Sequence, residues 1–437
     1  MKELFRNKNF VLLFAGSLVS ELGNVLFAFV SGLYVADLTG RESMLAIFMA
    51  LGAGVRVLAS PLAGVIIDRL NKIKIIYLTD YFRGLMFVAV AYAFWRGLTQ
   101  GEATAILLVV VAISGFISAM FGPAITSAVP EIVGNDMLQQ ANGAHSIIGS
   151  VTSIAGVLFG ILAFDLFSFE VAVLLNGISF ILSGFSEMFI KTPHKQEVPK
   201  TQHSFFKDMS IGFKYIKEKE GVLTMLMYLV FINFAIAPIF NVAMPSLLRI
   251  QLHRSAWEIG WVNIAASLAM MVAGIVVGSI KIKRLTRTIK FNLLMVVLAM
   301  VLLTVDIFLF SLGLYSYGVF YGLIIAIHVM VGIFLIGVNV PFNTSLVKVI
   351  DPALRGRVFS TFGAIAGALS PIAIVVGGFL IEKTSVSLLG LVCSLIMVIP
   401  AIGFTTNKKV HTLLEGIEKD NNKEASDLKV VLAEEAA

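Results

Sequence analysis

Residues 64–84 read GVIIDRLNKIKIIYLTDYFRG, and the architecture of the chain follows from how this stretch is parsed. An apolar run ends at Asp68-Arg69. A short basic link carries Lys72 and Lys74, and a second apolar run starts at Ile75. Two long apolar segments therefore meet at a very short charged turn. Inside a bilayer each backbone N–H and C=O must be satisfied within its own segment, so the pair reads as a helical hairpin with its tip in water. The tip is too short to slide or rotate freely, and it holds both acid and base. It suits a gate hinge.

The rest of the chain supports a membrane setting. Of 437 residues, 58% are hydrophobic and 14% charged, against about 25% charged in soluble domains. The net charge of +6 reflects basic loops that orient a membrane protein and implies no nucleic-acid partner. The single cysteine, Cys393, lies in an apolar run, which excludes an internal disulfide and a cysteine-based metal site. Lys2, Arg6 and Lys8 precede the first apolar stretch, which reads as a retained span because no small-residue cleavage signature ends it. No Walker loop, Gly-x-Ser-x-Gly or His-Glu-x-x-His occurs, so neither an enzyme nor a cofactor is expected.

A span needs about 20 mostly apolar residues. Twelve segments qualify: 10–35, 43–67, 75–95, 104–126, 139–163, 169–191, 222–248, 257–280, 288–310, 316–340, 357–381 and 386–404. The mildly polar 127–138 is the weakest break between them. With the N-terminus inside, the inner segments collect Lys2, Arg6 and Lys8, then Arg69, Lys72 and Lys74. They also collect seven lysines between 191 and 219, five basic residues between 281 and 290, and Lys348, Arg355 and Arg357. The outer segments hold only Arg41, Arg96, Arg249, Arg254 and Lys383. Both termini are therefore expected in the cytoplasm.

The long connection 192–221 divides the spans six and six. Its second part places Phe205, Phe206, Met209, Phe213 and Ile216 at helical spacing between lysines, as in a helix lying on an anionic membrane surface. The expected organisation is a six-helix bundle over 1–191, a cytoplasmic linker with an amphipathic helix over 192–221, a second six-helix bundle over 222–404, and a charged, solvated tail over 405–437. The halves also echo each other. FGPAITSAVPEIVGNDMLQQANG (121–143) and GVNVPFNTSLVKVIDPALRGRVFS (337–360) both end a fourth span of their half, with Pro123 matching Pro341 and Ile132 matching Ile350. A parallel six-plus-six repeat places a binding site near the midplane.

These residues carry a resemblance. Gly64, Asp68, Arg69 and Lys72 resemble the loop 2–3 signature of the major facilitator superfamily, with Asn71 where glycine is usual; asparagine tolerates a left-handed backbone. Pro123, Pro130-Glu-Ile-Val133, Leu138-Gln-Gln-Ala-Asn142-Gly, Arg355-Gly-Arg357-Val358, and Asp208 with Gly212-Phe-Lys-Tyr215-Ile216 resemble the macrolide-efflux and enterobactin-exporter group, and lysophospholipid transporters are similar. The resemblance implies an all-α membrane protein with 12 transmembrane helices in two bundles. It also implies an Asp68 that caps or pairs with a helix start of the other half, at Arg355 to Arg357, to hold one gate state. Span 4 lacks the arginine found in many proton antiporters, and Thr152-Ser153-Ile-Ala-Gly156 stands where glycine-proline is expected. Proton coupling is thus implied by analogy alone.

Ionisable residues inside a span cost about 2.5–3.5 kcal/mol on insertion scales, so each needs a reason. Glu21 lies about halfway through span 1, on a face with Ser17, Asn24, Ala28 and Ser31. Arg56 lies about halfway through the antiparallel span 2. The two are expected to pair or to share a wet pocket, where proton and arginine compete for one carboxylate; a static pair that fixes packing is the plainer reading. Asp80 and Arg83 stand three apart, which allows a local pair within the gate network. His145, His328 and Asp306 are coupling candidates, with packing or an interfacial position as the plainer reading. Asn233 and Asn339 offer hydrogen bonds to a substrate or to a neighbouring helix. With 34 Phe and 17 Met, the walls suit a bulky amphipathic ligand.

The expected function is ion-coupled efflux, with H+ as the ion, of a compound such as a macrolide-like drug or siderophore by alternating access. The chain would act as a monomer in the bacterial cytoplasmic membrane. A lysophospholipid flippase on the same fold and a non-transporting sensor or scaffold are the alternatives.

Overall fold

The structure is a computed structural model and describes residues 4–134, 137–192, 205–280, 282, 284–351 and 354–418. The described residues are helical and contain no strand. The helices are α1 (Lys8–Thr39), α2 (Glu42–Arg69), α3 (Lys72–Trp95), α4 (Gln100–Val133), α5 (Leu138–Leu166), α6 (Phe169–Glu187), α7 (Phe205–Glu218), α8 (Glu220–Pro238), α9 (Ala256–Ser279), α10 (Leu285–Ser311), α11 (Tyr317–Val349), α12 (Arg355–Lys383) and α13 (Val386–Thr406). Beyond α8 the chain continues in wider π-helical turns over Ile239–Ala243 and Ser246–Gln251.

Among the described residues, eleven helices are long and apolar enough to cross a membrane. The third expected span, 75–95, lies in α3 and is outside these eleven. That helix has 24 residues but carries Lys72, Lys74, Asp80 and Arg83. Several boundaries move outward from the apolar runs. The mildly polar 127–138 is not one break, because α4 continues through Pro123 and Pro130 to Val133 and stops where Gly134 takes a φ of 71°. The tail differs more. Residues 408–418 form a helix instead of a solvated segment. Val410, Leu414 and Ile417 bury one stripe of it, Lys409 pairs with Glu220, and Glu418 accepts from the Thr286 backbone N at 2.8 Å. The apolar i, i+4, i+7 spacing outweighs the surrounding charge.

The opening turn is built by two helix ends. α2 finishes at Arg69, Leu70 is extended, and the Asn71 side chain accepts from the Lys74 backbone N at 3.1 Å to cap α3. Asn71 has a φ of −67°, so it serves as an N-cap and does not need the left-handed backbone expected of a glycine substitute. The caps repeat elsewhere: Asn7 caps α1, and Thr99 with Glu102 forms a capping box on α4.

The chain divides into two compact units. One comprises Met1–Phe205 with Phe240–Ile264 and Ser370–Thr384; the other comprises Phe206–Ile239, Ala265–Leu369 and Ser385–Ala437. In the first unit α3 packs along α6, α2 along α4 and α1 along α5. In the second, α10 packs along α11 and α13, and α8 along α13. There α7 is seated, not merely laid on a surface. Gly212 meets the Arg357 backbone, the Thr361 hydroxyl donates to the Met209 carbonyl at 3.2 Å, and Ile216 is buried. Residues 193–204 of the linker and the side chains of Phe205, Phe206 and Asp208 lie outside the described residues.

Close helix approach in the first unit depends on glycine. A Cβ on Gly84 of α3 would lie 2.8 Å from the Gly177 carbonyl of α6, and a Cβ on Gly177 would lie 3.0 Å from the Gly84 carbonyl. Small residues at such crossings are how helices associate where lipid removes the hydrophobic drive between them. Gly84→Val is expected to destabilise the folded protein by about 2 kcal/mol through overpacking. Gly101→Ala, where an added Cβ meets open space, should leave stability unchanged or slightly raised. Thermal unfolding in detergent separates the two outcomes.

Candidate functional site

A cavity of about 320 Å³ opens between α1, α2 and α4 in the first unit. Glu21 and Asn24 line it from α1, Arg56 from α2, and Ser114, Ser118 and Phe121 from α4. The expected polar face of α1 is split by the packing. Ser17 and Ser31 are buried, and Glu21, Asn24 and Ala28 reach the cavity. Glu21 is half-buried and Arg56 exposed. They share the cavity and do not close to an ion pair within 4 Å. A static pair that merely fixes helix packing is therefore not what the structure contains. Both charges remain free to meet a third group.

Behind this cavity lies a buried charge cluster. Asp80 and Arg83 of α3 and Glu187 at the end of α6 are each fully buried. Asp80 begins about 12 Å along α3 from Lys72, at 1.5 Å per residue, so these charges sit deeper than the Asp68 turn. The expected Asp80–Arg83 pair is not made. Arg83 instead donates from Nη2 to the Ser118 hydroxyl at 2.9 Å. Its guanidinium lies 5.2 Å from the Phe121 ring centre and 5.6 Å from that of Phe180. Asp80 accepts from the Ser20 hydroxyl, which is 3.3 Å from the Ser183 hydroxyl. Glu187 presses against Gly16 of α1, where no Cβ would fit beside its carboxylate. Oδ1 of Asp80, Nε and Nη1 of Arg83 and both carboxylate oxygens of Glu187 have no hydrogen-bond partner. Ser118 and Phe121 belong to both places: they line the cavity and contact Arg83.

The remaining predicted residues scatter. The backbone places Gly64, Asp68 and Arg69 in the last turns of α2. The Asp68 and Arg69 side chains, and with them the expected pairing to Arg355–Arg357, lie outside the described residues. Lys72 pairs with Glu131 of α4, both side chains largely buried. In the second unit Arg355 donates from Nε to the Ile350 carbonyl at 3.2 Å, and the Arg357 carbonyl accepts from Thr361 at 2.7 Å. His145 is exposed on α5. His328 is buried with Nδ1 at 2.8 Å from the Ile324 carbonyl one turn back, the position of a packed residue. Asn233 likewise donates to Leu229 of its own helix at 2.9 Å. Asn339 is half-buried, its carbonyl accepting from Asn343. Asp306 is buried and held by the Tyr315 hydroxyl, not exposed at an interface.

Two features of the first unit carried no weight in the sequence reading. Glu187 is one; the other is a clamp at the end opposite the Asp68 turn. Asp37, near the end of α1, takes two bonds from Arg249, at 2.5 and 2.6 Å, and Arg249 lies over the Phe164 ring. Arg41 donates twice to Glu382, at 3.2 and 2.9 Å. The other oxygen of Glu382 accepts from the Ser43 backbone N at 3.0 Å. Fork-shaped arginine–carboxylate contacts of this kind fix geometry as well as adding energy.

A family model described as Major Facilitator Superfamily matches residues 13–373. The chain belongs to that superfamily. This superfamily protein is 23% identical over 381 residues to the uncharacterized MFS-type transporter YkuC of Bacillus subtilis (strain 168), a match covering 82% of this chain and 81% of the relative. It is 20% identical over 390 residues to macrolide efflux protein A of Streptococcus pyogenes, covering 86% and 90%. Among solved structures, a bacterial homologue of the iron transporter ferroportin in its inward-facing state matches with a TM-score of 0.71 at 13% identity, over 92% of this chain and 100% of that one. The likeness in structure shows the fold. This member of the superfamily is a multi-pass membrane transporter with efflux-pump relatives, and not an enzyme.

The Gly16–Glu187 contact gives a direct test of the buried cluster. Gly16→Ala is expected to lower stability by about 1–3 kcal/mol, and Glu187→Ala should recover at least half of that loss in the double variant. Additive losses in thermal unfolding would show that the carboxylate does not rest on Gly16.

Proposed function

We propose that the protein is a proton-coupled exporter of a bulky amphipathic compound, working by alternating access in the bacterial cytoplasmic membrane with both termini inside. Two six-helix bundles over 1–191 and 222–404 would alternate between inward- and outward-open states. The cavity carries the reading: one free carboxylate and one free guanidinium stand on a wall that also holds Phe27 and Phe121. A charged amphipathic solute would meet Glu21 or Arg56 with its polar end and the rings with its apolar body. Similarity to macrolide efflux protein A supports outward movement of such a solute. The Asp68 turn and the Asp37–Arg249 clamp, at opposite ends of the first unit, would serve as gates for the two sides.

A lipid-like cargo is favoured by a second space. An apolar groove of about 540 Å³ runs between α3 and α4, lined by Leu78, Phe82, Phe116 and Met120 with Lys74 at its end. That groove would hold an acyl chain beside a cationic headgroup contact, as a lysophospholipid flippase requires.

Everted vesicles containing the wild type should accumulate a macrolide when a proton gradient is imposed. Glu21→Gln and Arg56→Gln are each expected to cut that rate roughly tenfold, the effect of losing about 1.4 kcal/mol. Vesicles that take up spin-labelled lysophospholipid and no macrolide would select the lipid reading; uptake of neither would sink both. The clamp has its own test. Asp37→Arg and Arg249→Asp should each slow transport about fivefold, for about 1 kcal/mol of lost pairing, and the double exchange should restore most of the rate. A double variant no faster than either single one would remove the clamp from the cycle.

A further inference from the structure

The cluster of Asp80, Arg83 and Glu187 has a property that the cavity lacks. It contains one permanent cation and two carboxyl groups, all fully buried. Removing ions from water costs several kcal/mol each even after the protein relaxes, so a buried cluster tends towards neutrality. One guanidinium neutralises one carboxylate. The second carboxyl reaches neutrality only by carrying a proton.

The neighbours bear this count out. On α1, Ser20 supplies a hydroxyl to Asp80, and Glu21 adds a further negative group at the cavity edge. On α3, Asp80 and Arg83 belong to the cluster, and Tyr81 is directed elsewhere, its hydroxyl lying 3.1 Å from Met188 Sδ. On α4, Ser118 is neutral, and Glu131 is already paired with Lys72. On α6, Ser183 is neutral and donates to the Gly16 carbonyl at 3.2 Å. No second cation faces the pair from any of these helices among the described residues.

We infer that Asp80 and Glu187 together hold one exchangeable proton, and that Arg83 reports its presence to the cavity through Ser118 and Phe121. The inference deepens the proton-coupled reading by assigning the proton to this cluster and not to Glu21. The step is a simple acid dissociation: a carboxyl O–H bond breaks, the proton leaves to water, and a second carboxylate remains beside one guanidinium. Arg83 already presents two unused donors, Nε and Nη1. A new carboxylate engages them and draws the guanidinium from Ser118 and from the Phe121 ring. Both of those residues line the cavity, so loss of the proton alters the cavity wall. The same contacts, run backwards, let an occupant of the cavity change the tendency of the cluster to hold its proton.

The test needs no substrate. Infrared spectra of the full-length protein in nanodiscs, recorded from about pH 5 to about pH 10, the range into which full burial moves carboxyl titration, read the C=O stretch of a protonated carboxyl. The wild type should show one such band that disappears on alkalinisation. Glu187→Gln and Asp80→Asn should each abolish the pH-dependent band or displace its midpoint by at least tenfold in proton concentration. Glu187→Asp, which keeps a carboxyl, should retain it, and Ser118→Ala should move its midpoint. A band that survives unchanged in both Glu187→Gln and Asp80→Asn overturns the inference, as does one lost only in Glu21→Gln. A wild type that shows the band and moves no substrate would support the proton site while removing the transport reading, so the two can fail separately.

Discussion

A guanidinium without access to water constrains much of the first unit. Arg83 cannot lose its proton, and no carboxylate within ion-pair distance balances it. Its place is instead supported by one hydroxyl, two aromatic faces and the field of two nearby acids. That support comes from α4 and α6 together with α3 itself, so those helices must stay in register with α3. The Gly84–Gly177 crossing lets α3 and α6 approach closely enough for this. Phe180, which contacts Arg83, also lies against Phe87 in the apolar core. Packing and electrostatics are here one constraint: loosening the helix crossing would admit water to the charge, and removing the charge would leave polar groups without a purpose.

The general plan was legible because membrane insertion leaves strong marks in a sequence. Twenty-residue apolar runs and short basic turns lie in composition and order alone. The motif at Gly64 to Lys72 sharpened this to a family that matches over residues 13–373. Finer features depended on contacts that composition does not encode. Val410, Leu414 and Ile417 had helical spacing, yet the surrounding lysines and glutamates concealed it. Asn71 resembled a glycine substitute because capping and left-handed turns favour the same residue.

The site was half legible. Glu21 and Arg56 stand out as charges in the middle of apolar runs, and both reach the cavity. Glu187 ends an apolar run, where an acid reads as an interfacial residue; its burial depends on Gly16, 171 positions earlier. Asp80 and Arg83 have the spacing of a local pair, yet Arg83 meets Ser118 and two rings of other helices and Asp80 meets Ser20. Asp37 and Arg249 are 212 positions apart. One sequence read alone has no means of joining such distant partners.

The wide turns that follow α8 carry one half of the clamp. A π-helical turn holds one more residue than an α turn, closes i to i+5 bonds and is often found where function demands it. Arg249 sits within Ser246–Gln251, the second of these turns. Were that turn to tighten to α geometry, the register would slip by one residue, and each residue advances an α-helix by about 100°. The guanidinium would swing away from Asp37 without the whole helix having to travel. The wide turns beyond α8 would then act as a stored twist, a rotation of a few residues doing what a rigid rod would need a translation to perform.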